Sequence, residues 1–206
     1  MRKPDTYSGP AEAIRQTARF YRKDLWADHA DYVEVWIEKD ALAGVVHEVT
    51  DTYDIPLMVS RGYSSVTFLQ AAGSAIDHIG KDTHIYHLGD YDPSGVDAAN
   101  KIEAGLREFA PSTDITFTRL AVLPEQIEEW ALPTRPTKRT DTRAKSFGQH
   151  SVELDAIPPD RLRLLVEGAI DKHLPARELE VLKTAEDSER ALLTAWANDA
   201  SVWAVK

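Results

Sequence analysis

A chain of 206 residues, 43% hydrophobic and 28% charged, is long enough to bury a core and lies in the ordinary globular range. Twenty-four Lys and Arg against 34 Asp and Glu give a net charge of -10, which excludes a surface that binds polyanions everywhere; any nucleic-acid contact has to come from a local basic patch. Without cysteine there are no disulfides, thiolate metal sites or Cys nucleophile, no apolar run approaches a membrane span, and the polar start reads as no secretory signal, so the expectation is a cytoplasmic protein with no membrane contact.

The first periodic stretch, Pro10 to Trp26, predicts a helix with Ile14, Ala18, Tyr21 and Leu25 on one side and basic residues on the other. Residues 1–31 thus read as a helical lead-in. Tyr32 to Ile37 predicts a strand and Ala41 to Tyr53 a helix for which Asp40 can serve as N-cap. Pro56 to Val59 predicts a second strand, followed by a helix capped by Ser64 or Ser65 and running to about Ile79. A third strand over Thr83 to Leu88, a loop over Gly89 to Gly95, a helix over Val96 to Phe109 and a strand over Asp114 to Leu120 complete the alternation. Four strands alternating with three helices imply an α/β fold over residues 32–120, a mainly parallel sheet with helices on both faces. Residues 121–157 read as a loop-rich connector with one short helix, Pro124 to Trp130. Residues 158–206 read as a helical C-terminal extension, amphipathic through Leu162, Leu165, Val166 and Ile170, then Leu179, Leu182, Leu192 and Trp196, and suited to pack on the sheet or on a protein partner, including a second copy.

In an open parallel sheet the functional crevice lies outside the carboxyl ends of the strands. Glu38 ends the first strand and Asp90 and Asp92 follow the third, so acids gather where mutual repulsion calls for a cation. Mg2+ suits hard oxygen ligands, keeps several waters and needs only one or two carboxylates; Mn2+ is the alternative ion. Each acid also has a plainer role. Asp92 before Pro93, Ser94 and Gly95 is a good N-cap, and Glu38 can pair with Lys39 or another surface cation.

The stretch Val35-Trp36-Ile37-Glu38-Lys39-Asp40, followed later by Gly89-Asp90-Tyr91-Asp92-Pro93-Ser94-Gly95, resembles the Toprim domain of topoisomerases, DnaG-type primases and OLD-type nucleases. The Glu-Lys pair and the Asp-x-Asp-Pro-x-Gly form look most like the topoisomerase VI A subunit and its relatives that make meiotic double-strand breaks. The resemblance covers about Tyr32 to Leu120 and implies a Rossmann-like sheet in which Glu38, Asp90 and Asp92 bind Mg2+ and act on DNA. Those topoisomerase relatives add a winged-helix domain with a nucleophilic tyrosine. Only 31 residues precede the first strand here, with Tyr7 and Tyr21 among them, so the expectation is cleavage by water without a tyrosyl link to DNA.

Arg61 and Ser64, between the second strand and its helix, are candidate phosphate contacts, with a simple helix cap as the plain alternative for the serines. Arg135, Lys138, Arg139, Arg143 and Lys145 against the single Asp141 make a positive island that is a candidate DNA contact or a solvated loop. The seven histidines have no metal-ligand spacing; His84 and His87 point to opposite sheet faces, and His87 is best read as packed. Glu153 and Asp155 either supplement the metal site or alternate outward. Two functions compete. One is a Mg2+-dependent nuclease or nicking enzyme acting on DNA phosphodiesters with help from Lys39; the other is a non-catalytic metal- and DNA-binding module whose partner supplies the nucleophile.

Overall fold

The computed structural model describes residues 6–61, 64–137, 147 and 150–203, with side chains to residue 199. Two compact units divide the chain: Trp26–His173 is one, and Met1–Leu25 with Leu174–Lys206 is the other.

In the larger unit, β1 (Asp31–Ile37), α2 (Ala43–Thr52), β2 (Leu57–Val59), α3 (Val66–Ile79), β3 (Asp82–Leu88), α4 (Pro93–Phe109) and β4 (Ile115–Ala121) alternate, after helix α1 (Pro10–Phe20) of the smaller unit. The helix ends follow local chemistry. Ser65 Oγ accepts from the Phe68 N–H at 3.1 Å to open α3, and Gly80, at φ 66, closes it in a left-handed conformation. Asp92 and Pro93 open α4 three residues before the predicted start, because the Asp92 carboxylate accepts from the Gly95 N–H at 2.7 Å. Asp40 does not cap α2. It starts a 3-10 turn over Asp40–Leu42, and its carboxylate pairs with Arg61 at 2.6 Å.

The sheet is α/β in class and wholly parallel, in the order β2-β1-β3-β4. Alternation along β1 sends Tyr32, Glu34 and Trp36 to one face and Val33, Val35 and Ile37 to the other. On the first face, Trp36, Ile85 and Ile115 pack with Leu69, Ala72 and Ile76 of α3 and Ile102 and Leu106 of α4. The second face, Val33, Val35, Ile37 and Leu88, is equally buried. Helix α6 (Pro159–Ile170) packs with α2 there, joined by an Arg163–Glu48 ion pair at 3.1 Å. Burial on both faces is what a parallel sheet requires, and it is a Rossmann-like arrangement. The chain steps outward from β1 to β2 and then back across β1 to β3. Strand order therefore reverses between β1 and β3, and the crevice of such a sheet opens at their carboxyl ends.

After β4 come α5 (Pro124–Glu129) and, where an extended loop was expected, a short antiparallel pair, β5 (Arg135–Pro136) and β6 (His150–Ser151). Neither strand is long enough to show a period, so only the pairing reveals them. Val152 then exchanges backbone hydrogen bonds with Tyr91 at 2.8 and 2.9 Å, which lays this segment beside the loop after β3.

In the smaller unit α1 packs along α7 (Ala176–Trp203). Helix α1 stops at Phe20 rather than Trp26, because Tyr21 turns extended and its hydroxyl donates to Glu189 at 2.6 Å. Buried Glu186 of α7 accepts from the Lys23 N–H and from Arg190, each at 2.8 Å. Among the described residues no helix is long and apolar enough to cross a membrane.

Candidate functional site

The three strand-end acids occupy the reversal point of the sheet. Glu38 directly follows β1, and its N–H donates to the Leu88 carbonyl at 2.9 Å, so the β1–β3 pairing continues up to the crevice. Its Oε2 accepts from the Asp90 N–H at 3.3 Å. Two glycines make room for this carboxylate. A β-carbon on Gly89 would stand 2.9 Å from Glu38 Oε2, and one on Gly95 would stand 3.3 Å from it while colliding with the Asp90 carbonyl oxygen. Asp90 Oδ1 accepts from the Leu154 N–H at 2.7 Å, and Asp92 Oδ1 accepts from Gly95. Among the described residues, backbone N–H groups thus hold one oxygen of each acid.

These carboxylates are electrostatically uncomfortable. Burial, then the nearby Asp90 charge, pushes Glu38 above the usual carboxylate range. Burial also raises Asp90, against the opposing hydrogen bond from Leu154 and the charge of Lys39. Arg119, near the end of β4, partly compensates. Its guanidinium donates to the carbonyls of Gly89 at 3.0 Å, Gly95 at 3.3 Å and Asp90, and so stitches the loop that carries the acids. Burial lowers the Arg119 pKa although all three acids favour its charged form. Sequence reasoning missed Arg119. The readable signal was a cation near the carboxyl end of a parallel strand, in an otherwise Thr, Ile and Phe segment.

The remaining candidates are dispersed. Lys39 does not turn to the acids of the crevice; it pairs with Asp155 at 2.5 Å and Glu153 at 3.3 Å, which accounts for those two carboxylates. The Asp155 hydrogen bond is the main reason the Lys39 pKa is raised. Arg61 is exposed and engaged by Asp40. The Ser64 hydroxyl is buried with no hydrogen-bond partner among the described residues, while Ser65 performs the capping. Arg135 lies on β5, pairs with Glu153, and helps line a cleft with Asp92, Pro93 and Ser94. Lys138, Arg139, Arg143 and Lys145 lie outside the described residues.

A second cluster forms at the opposite end of the sheet. Asp31 opens β1, His84 lies early in β3, and His173 follows α6. Their donor atoms lie within 4.8 Å of one another, and these residues can hold a metal ion. No group of three such residues that includes Glu38, Asp90 and Asp92 together is gathered that closely among the described residues. No spacing along the chain announces the histidine cluster, since its members are 53 and 89 residues apart.

No family model, curated protein or solved structure matches this chain.

Proposed function

We propose that Glu38, Asp90 and Asp92 form a site for Mg2+ or Mn2+, and that the chain uses it as a Toprim-like nuclease or nicking enzyme on DNA phosphodiesters. The observation that carries this reading is the placement of three carboxylates at the reversal point of a parallel sheet, two of them held above their usual pKa by burial. Hard oxygen donors fit Mg2+, and their wider spacing suits an ion that keeps several of its waters and contacts only one or two carboxylates directly. Bound there, the ion supplies Lewis-acid activation of a phosphate and of water.

The protein's own groups do the positioning. Glu38, Asp90 and Asp92 supply the oxygens, the backbone of Leu154 and Gly95 orients two of them, and Arg119 holds the loop. Arg135, at the rim of the cleft beside Asp92, is the described cation best placed to meet a phosphate, and Lys138, Arg139 and Arg143 are proposed to extend that contact. The cysteine-free composition fits a cytoplasmic setting.

A specific observation favours the second reading, a non-catalytic metal- and DNA-binding module. Lys39, the base expected to assist, is bound by Glu153 and Asp155, so a partner would have to supply the missing group. Exposed Val181, Leu192 and Trp196 on α7 are compatible with a protein partner or a second copy.

The test is a supercoiled-plasmid assay with Mg2+ or Mn2+, paired with melting curves in Mg2+, on wild type and Asp90→Asn. Metal-dependent nicking and a metal-induced rise in Tm, both lost in Asp90→Asn, are expected of the enzyme. A Tm shift without nicking selects the binding module. Neither effect in the wild type overturns both.

A further inference from the structure

We infer that Asp31, His84 and His173 form a second metal site, selective for a transition-metal cation of the Zn2+ class and separate from the carboxylate crevice. Asp31 Oδ2 lies 2.7 Å from His173 Nδ1 and 3.8 Å from His84 Nε2. A tetrahedral ion with bonds of about 2.0–2.1 Å spaces its ligand atoms about 3.3 Å apart, so the two observed separations bracket the required edge. Small side-chain shifts bring all three donors onto one centre.

The donor set decides the class of ion. Two imidazoles and one carboxylate are borderline ligands that suit Zn2+ and its neighbours, whereas Mg2+ and Ca2+ favour all-oxygen shells. The surroundings fit a ligand role for His173. Its Nε2 lies 2.8 Å from the Tyr86 hydroxyl, so with Nδ1 turned to the metal, Nε2–H can donate to that hydroxyl. Outer partners of this kind orient a ligating histidine and fix its tautomer. Asp82 and Asp114 add negative charge near His84. His173 is nearly buried, whereas His84 and Asp31 keep 24% and 35% of their side chains exposed, so one side of the centre stays open to solvent. Three protein ligands with an open fourth position leave room for water.

The position separates this site from the first. Asp31 begins β1 and Glu38 follows its last residue, so the seven-residue strand spans on the order of 20 Å between them. Bound metal would join the starts of β1 and β3 to the end of α6, three segments far apart along the chain. It would therefore stabilise the sheet unit whether or not the carboxyl-end crevice is catalytic.

The experiment titrates tag-free, EDTA-stripped full-length chain with Zn2+ and, separately, Mg2+, reading stoichiometry by calorimetry and stability by Tm. One tight Zn2+ equivalent and a raised Tm are expected for wild type and for Asp90→Asn. His84→Gln, at the exposed edge of the cluster, should bind at least about 100-fold more weakly, and Tyr86→Phe about 10–100-fold more weakly. Should His84→Gln fail to fold, side-chain 15N NMR of the wild type decides: Zn2+ must shift the imidazoles of both His84 and His173. No tight Zn2+ binding in the wild type, unchanged binding in folded His84→Gln, or unmoved imidazole signals overturns the site and leaves a hydrogen-bonded Tyr86-His173-Asp31 chain. Because Asp90→Asn is scored against Zn2+ here and by its Mg2+-induced Tm shift for the crevice, failure of either site leaves the other readable.

Discussion

Acid should destabilise this protein through His87, and replacing that residue should blunt the effect. His87 is 1% exposed on the α3/α4 face of the sheet, with its ring 5.7 Å from that of Phe117 and its Nδ1 lacking a hydrogen-bond partner among the described residues. Burial first, and the Arg119 charge second, lower its pKa from 6.5 to about 3. Between those values the unfolded chain binds a proton that the folded chain refuses. Stability from this group is therefore present above about pH 6.5 and is lost as pH falls towards 3, at about 1.4 kcal/mol per pH unit. From pH 6.5 to 4.5 the loss is roughly 3 kcal/mol, a large part of the ~5–15 kcal/mol that holds a typical domain together. His87→Leu keeps the site apolar and removes the titration. Glu38 and Asp90, with raised folded pKa values, act in the opposite direction, favouring the fold at low pH and losing that contribution as pH rises; they are common to both proteins and largely cancel in the difference. Urea unfolding from about pH 7.5 to 4.5 should show the wild type losing roughly 3 kcal/mol more than the variant. Parallel losses would refute a buried, neutral His87.

Gly95→Ala should lower stability by about 1–3 kcal/mol, because its methyl collides with the Asp90 carbonyl, and should abolish any metal-induced Tm shift at the crevice; an unchanged urea midpoint would contradict the close approach. Glu34 is buried with both oxygens in use, accepting from Trp36 Nε1 at 2.7 Å and the Tyr32 hydroxyl at 2.8 Å. Glu34→Gln replaces one acceptor by a donor and should cost about 1–3 kcal/mol. Burial raises the Glu34 pKa, so the wild-type advantage should be greatest at low pH and narrow as pH rises through that value; a gap that widens with pH would contradict the assignment.

The strands and helices of residues 32–120 were legible because each carries its own period and its own punctuation. Tyr32 to Ile37 and Thr83 to Leu88 are rich in β-branched and aromatic residues and so read as strands, and Ser65, Gly80, Asp92 and Pro93 mark helix ends by local backbone chemistry. Glu38, Asp90 and Asp92 were legible for the same reason: in a parallel sheet, position along a strand already assigns a residue to the crevice end.

Long-range geometry decided the rest. Arg119 joins the crevice only because β4 pairs with β3 and aims its guanidinium at the carbonyls of the loop after β3. Lys39 is drawn to Glu153 and Asp155 by a segment more than a hundred residues later, which no local pattern encodes. Asp31, His84 and His173 meet because β1 and β3 run side by side and α6 ends over them. Periodicity and capping depend on neighbours within a few residues, so the chain alone determines the elements and the end of the sheet at which the acids gather. Which charges face one another depends on packing between distant segments, and only the tertiary structure decides it.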